Sequence, residues 1–245
     1  MDHDTAIVAE HLHKRYRSTV AVDGVSLRVR AGEVVGVLGA NGAGKTTTVE
    51  LIAGLRRPDA GRVRVLGLDP RRDRAALRQV LGVQLQQATV HHALTVDELI
   101  GLFRSFYPNP RSAGELLDLV DLTAQRRTRF EKLSGGQQQR LSIALALAGR
   151  PRVVILDELT TGLDPHARRR MQSAIEQLEH ETVLLVSHAM DEVERLCDRV
   201  VLLDAGRIVA DDTPAGLVST VGAADLEEAF VTITGTRPGE LEETA

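Results

Sequence analysis

The segment Gly39-Ala40-Asn41-Gly42-Ala43-Gly44-Lys45-Thr46 constrains the fold of this chain more than any other. It follows the apolar run VVGVLG and opens the helix-like run TTTVELIAGL, which has a glycine near its end and Pro58 soon after. Its glycines let backbone N–H groups converge on an anion, where side chains would stand in the way. A helix starting at the end of the loop adds its positive N-terminal end to the same site. The spacing G-x-x-x-x-G-K-[ST] puts Lys45 within reach of phosphate oxygens and the Thr46 hydroxyl where Mg2+ would bind, with Thr47 beside it. Lysine occurs only at Lys14, Lys45 and Lys132, so one of three stands where phosphate chemistry demands it. A chance match in a chain of this length is on the order of one in a hundred.

Extended runs surround the loop. AIVAEHL, VSLRV and VVGVLG come first, with Asp23-Gly24 as a turn signal, and RVRVLGL and VLGVQLQ follow the first helix. From about Thr95 to Ala148 the leucines recur every three or four residues, which predicts helices inserted into the strand-rich pattern. After Pro151 the chain alternates the strand VVILD, the helix ARRRMQSAIEQL, the strand TVLLVSH, the helix MDEVERLC and a hairpin, VVLLDAGRIVA. Continuous apolar strands alternating with helices predict a parallel sheet covered on both faces. After about Pro214 the signals weaken, and Gly239–Ala245 reads as a frayed acidic tail.

The composition suits a globular protein: 43% apolar and 26% charged residues over 245 positions, enough for one large or two small domains. A net charge of −4 gives no sign of a nucleic-acid partner. The single cysteine, Cys197, excludes an internal disulfide and shares an apolar helix face with Met190 and Val193, so it reads as core. No run approaches the roughly 20 apolar residues of a membrane span, and MDHDTAIV lacks the build of a signal peptide. Any transport role therefore calls for another chain.

A phosphate loop alone serves kinases, GTPases and transport ATPases alike. The segment Leu133-Ser134-Gly135-Gly136-Gln137, continued by Gln138-Gln139-Arg140, separates them. It sets a serine and two glycines at the start of a helix, with free N–H groups facing outward. It resembles the LSGGQ signature of ABC (ATP-binding cassette) ATPases, and the resemblance runs over roughly residues 5 to 212. It implies a P-loop NTPase (RecA-like) α/β fold, with a parallel core, an antiparallel β subdomain and an inserted helical subdomain at about 88–150. The expected division is a cassette over 1–215 and a short C-terminal extension over 216–245.

The resemblance also implies a set of roles. Ser134, Gly135, Gly136 and Gln137 of one subunit would close on ATP held by Gly39, Asn41, Gly42, Ala43, Gly44, Lys45, Thr46 and Thr47 of another. That arrangement makes a dimer with two shared sites, either a homodimer or a pairing with a related ATPase subunit. Val153–Glu158 resembles the Walker B strand, with Asp157 and Thr46 holding Mg2+ and Glu158 polarising the attacking water as general base. Proline usually follows that glutamate, and here Leu159 does. His188, ending TVLLVSH, would contact the γ-phosphate. Gln86, counted from Gly82, would link Mg2+ to the membrane partner, although Gln84 and Gln87 lie close by. Tyr16 would stack on adenine, and Asp164 would communicate across the dimer, cap the next helix, or do both.

Phe103, Phe106 and Tyr107 form a cluster in a chain with only six aromatics. They either receive short helices of a transmembrane permease subunit or fill the helical subdomain's own core. Arg126, Arg127 and Arg129 read as a solvated face. Weaker similarity points to the ATPases of drug-resistance and ABC-2-type exporters, held at the inner face of the cell membrane by a permease and moving a drug-like or lipid-like compound. A translation- or DNA-associated ABC ATPase and a P-loop kinase are the alternatives.

Overall fold

The computed structural model describes residues 4–85, 90–158, 164–178 and 180–235. In chain order the first half forms β1 (Thr5–Tyr16), β2 (Thr19–Arg30), β3 (Val34–Gly39), α1 (Lys45–Ile52), β4 (Ala60–Val65), α2 (Arg74–Arg78) and β5 (Leu81–Gln84). Three helices follow: α3 (Val96–Arg104), α4 (Ala113–Leu119) and α5 (Gly135–Leu147). The remainder comprises β6 (Val153–Asp157), α6 (Pro165–Glu176), β7 (Thr182–Val186), α7 (Met190–Leu196), β8 (Arg199–Asp204), β9 (Arg207–Asp212), α8 (Pro214–Val221) and α9 (Leu226–Thr234).

The strands form two sheets. One is antiparallel, in the order β2-β1-β4. The other runs β5-β6-β7-β3-β8-β9 and is parallel except for the β8–β9 hairpin. Every residue of β6 and β7 is buried, as expected of parallel strands with both faces covered. Alternation divides the sheet's side chains between two cores. Val35, Val37, Ile155 and Leu184 pack with α1 and the antiparallel sheet, and Leu38, Leu156, Leu185 and Leu202 pack with the helices.

The helical stretch between β5 and β6 is punctuated by its caps. Thr95 with Glu98, Ser112 with Glu115 and Ser134 with Gln137 each form a reciprocal capping box, which fixes where α3, α4 and α5 begin. The aromatic cluster divides. Phe103 and Tyr107 pack against the larger core, with the Tyr107 ring lying where a Cβ on Gly149 would fall (2.3 Å), whereas Phe106 is 59% exposed. Of the three arginines read as a solvated face, Arg126 pairs with Asp97 at 2.8 Å.

The weak signals after Pro214 conceal two ordered helices. Thr213 caps α8, with Pro214 in its first turn, and Asp225 caps α9. The Glu194 carboxylate accepts from the Leu226 N–H at 3.0 Å, and Leu226, Ala229 and Phe230 are buried. Each helix has only two turns, so helical periodicity has little length in which to show. Cys197 is buried against the face of Gly36, and burial raises its thiol pKa well above the ordinary range. Phe230→Ala is expected to cost roughly 3–5 kcal/mol of stability, as for a ring removed from a packed core. Urea denaturation measures this, and an unchanged midpoint would show α9 to be peripheral.

Candidate nucleotide site

The parallel sheet sets the site's geometry, because β3 lies between β7 and β8 and β6 adjoins β7. In this register Val37 pairs with Val186, and Val186 pairs with Asp157. Three strands therefore end side by side, with the glycine loop after β3, Asp157 and Glu158 at the end of β6, and Ser187 and His188 after β7. This is the crevice outside the carboxyl ends of the strands where open α/β sheets bind ligands.

The loop's shape depends on its glycines. Gly44 has φ 98, and a Cβ there would lie 2.2 Å from the Ala21 carbonyl oxygen. No side chain caps α1, so its leading N–H groups remain available to an anion. The Lys45 ammonium donates to the carbonyls of Gly39 (2.7 Å) and Ala40 (3.0 Å), and burial lowers its pKa against the pull of Glu158 and Asp157. Above the loop is a cavity of about 740 Å³. Gly39, Asn41, Gly42, Gly44, Lys45, Thr46 and Thr47 line one side, and Tyr16, Glu158 and His188 line the others. Ala43 turns its side chain into the core instead. The ammonium of Lys14 and the guanidinium of Arg56 stand 5.6 and 5.5 Å from the Tyr16 ring centroid, holding the ring by cation–π contact.

Asp157 is almost fully buried beneath this cavity. Its N–H donates to the Gln84 side-chain oxygen at 3.1 Å, and its Oδ2 has no hydrogen-bond partner. Burial first, then the Glu158 charge, pushes its carboxyl up to about 6 against the opposing pull of Lys45. An orphaned buried carboxylate oxygen at the end of β6 suits a hard divalent cation. Among the described residues no cluster of three His, Cys, Asp or Glu side chains could hold a metal.

Ser134, Gly135, Gly136 and Gln137 do not line the cavity. They form the first turn of α5, where the Ser134 hydroxyl accepts from the Gln137 N–H at 3.3 Å and Ser134 and Gly135 are exposed. Asp164 caps α6, accepting from the Ala167 N–H at 3.0 Å. Gln86, Gln87 and Leu159 lie outside the described residues.

Other residues support the site without having been singled out in the sequence. The Ser187 hydroxyl donates to the fully buried Glu192 carboxylate at 2.7 Å and accepts from the Ala189 N–H, which shapes the turn carrying His188. The spacing Ser-His-x-x-x-Glu is the signal that could have revealed this pair. Phe230 of α9 lines the cavity beside Met190. The side-chain amide of Gln139 in α5 donates to the Glu158 carbonyl at 3.1 Å.

Residues 22–161 match the sequence profile of a family described as ABC transporter. The chain belongs to that family. It is 40% identical over 210 residues to a methionine import ATP-binding protein of Mesorhizobium japonicum, covering 81% of this chain and 58% of that protein. A Nod factor export ATP-binding protein of Neorhizobium galegae is 39% identical over 234 residues, covering 92% of this chain and 66% of that one. The chain thus spans less than two thirds of the length of either. A daunorubicin resistance ATP-binding protein of Streptomyces coeruleorubidus is 40% identical, with 89% of this chain and 72% of that protein covered. Among solved structures, an ATP-binding subunit of an ABC transporter superposes with a TM-score of 0.85 at 27% identity, covering 93% of this chain and 99% of that one. A dimeric cassette in a post-hydrolysis state with ADP and Pi gives 0.78 at 26%, covering 84% and 98%. The cassette fold of this ABC chain is therefore the P-loop NTPase α/β fold.

In this ABC chain Asp157 lowers stability as pH rises. Between about pH 4 and 6 the folded state keeps a proton that the unfolded chain releases, so stability is lost as pH climbs through that window. Without nucleotide or magnesium, Asp157→Asn is expected to be about 3 kcal/mol more stable than the parent at pH 8, falling to about half that at pH 5. Urea melts at the two pH values measure this, and a gain independent of pH would contradict the assignment.

Proposed function

We propose that this chain is the ATP-hydrolysing subunit of an ABC transporter, dimerising around two shared ATP sites to drive a separate transmembrane permease subunit. The observation that carries the reading is a division of parts. The glycine loop, Glu158 and His188 share one cavity, with Asp157 beneath it, while Ser134–Gln137 lie outside it on an exposed helix start. A second subunit, identical or related, supplies the missing helix start, and Asp164 communicates across the dimer.

In this reading Tyr16 stacks on adenine, and Lys45 leaves the Gly39 and Ala40 carbonyls for the β- and γ-phosphates. The loop N–H groups and the start of α1 hold the phosphate oxygens. Glu158 takes a proton from the attacking water, and His188 donates to the γ-phosphate. Thr46, Asp157 and Gln86 would hold Mg2+, which supplies neutralisation of phosphate charge when bound. Cleavage removes the group that bridges the two subunits, and this turns chemistry into movement.

An apolar recess of about 250 Å³ supports the permease assignment. Leu55, Leu85, Val90, Phe103 and Tyr107 are among its lining residues. Phe106 (59%) and Leu102 (42%) are exposed on the same helical region, α3 and the turn after it. Short apolar helices of a membrane subunit fit such a surface. No helix among the described residues is long and apolar enough to cross a membrane; the permease partner would hold the chain at the inner face of the cell membrane. Export of a drug-like or lipid-like compound is the direction favoured here. The export and resistance relatives reported above cover 92% and 89% of the chain, against 81% for the import relative.

Glu158→Gln is expected to bind ATP as the parent does, lower turnover at least about a hundredfold and trap a closed dimer. Phosphate release and sedimentation with ATP measure this, and turnover at the parent rate would remove Glu158 as the base.

A further inference from the structure

We propose that Gln139 is a positioning residue for the general base: its amide fixes the Glu158 carbonyl, and with it the direction in which the Glu158 side chain leaves the backbone. This inference rests on the assignment of Glu158 as base.

Glu158 has φ 53, in the left-handed region. An L-residue there is strained and persists only where its surroundings hold it. Both peptide groups flanking its Cα are held. The Glu158 N–H donates to the Val186 carbonyl of β7 at 2.8 Å, and the Glu158 carbonyl accepts from Gln139 Nε2 at 3.1 Å. With one peptide plane tied to the sheet and the other to α5, the Cα–Cβ bond has a single direction, toward the cavity that Glu158 lines.

The three consecutive glutamines of α5 have separate tasks. Gln137 closes the capping box with Ser134, and Gln138 donates to the carbonyls of Phe130 and Leu133. Only Gln139 reaches the catalytic strand. It is presented from a rigid support, since residues 141–147 of the same helix are buried. The aim of the base is therefore tied to the seating of α5, the helix whose first turn is proposed to meet the other subunit's ATP.

The test compares Gln139→Leu, which fills similar space without a donor, with Gln139→Glu, which keeps the shape but offers no donor at neutral pH. Both are expected to lower kcat about tenfold, the effect of one lost hydrogen bond, and to leave KM and Kd for ATP within about twofold. Gln139→Lys, which returns an N–H donor, should recover most of that loss. Added to Glu158→Gln, Gln139→Leu should not change ATP-dependent dimer formation. The inference is overturned if the Leu and Glu variants turn over at the parent rate. It is overturned equally if their loss lies in ATP affinity or dimer formation, or if Lys gives no recovery. Turnover by Glu158→Gln at the parent rate would instead sink the base assignment itself.

Discussion

The register of three parallel strands governs what this chain can do. β3, β7 and β6 are neighbours, and their pairing brings the residues after Leu38, Val186 and Asp157 to one edge of the sheet. A slip of one residue in β7 would exchange Leu184 and Leu185 between the two cores, so burial on both faces enforces the register. The same apolar contacts that stabilise the sheet thus determine where Lys45, Glu158 and His188 meet. Packing and chemistry are one constraint here.

The sheet edge also concentrates cost. Asp157 is buried with an unsatisfied oxygen, Glu158 adjoins it in a left-handed backbone, and Lys45 is parked on two carbonyls. The unsatisfied oxygen and the left-handed backbone cost stability, while the Lys45 ammonium is satisfied by the two loop carbonyls. A strained edge carrying buried charge suits a site for a highly charged substrate. Positioning residues distribute the constraint: Gln84 holds the Asp157 N–H, Gln139 the Glu158 carbonyl, and Glu192 the turn before His188.

Local signals were legible in the sequence. The glycine loop announced itself because only glycine tolerates the approach of Gly44 to Ala21. VVILD and TVLLV read as buried strands because both faces are covered, and Ser134 read as a helix start because a capping box is local in sequence. What remained hidden depends on distant contacts. Gln139 and Glu158 are 19 residues apart and Gln84 and Asp157 are 73 apart, and no periodicity encodes such pairs. The aromatic cluster presented two readings, and the structure divides it, with Phe103 and Tyr107 packed inward and Phe106 outward. α9 is faint in the sequence because it is short, Leu226–Thr234, and packs mainly against the similarly short α8.

A shared site requires one subunit's Ser134 to complete the other subunit's phosphate loop. Disulfide trapping tests it most directly, using a mixture of Asn41→Cys and Ser134→Cys subunits that both carry Glu158→Gln. The native thiol, Cys197, is buried and stays out of the reaction. With ATP, oxidation should link the two kinds of subunit into a dimer, and with ADP it should not. Absence of the link with ATP, or an equal yield with ADP, would contradict a site shared between subunits.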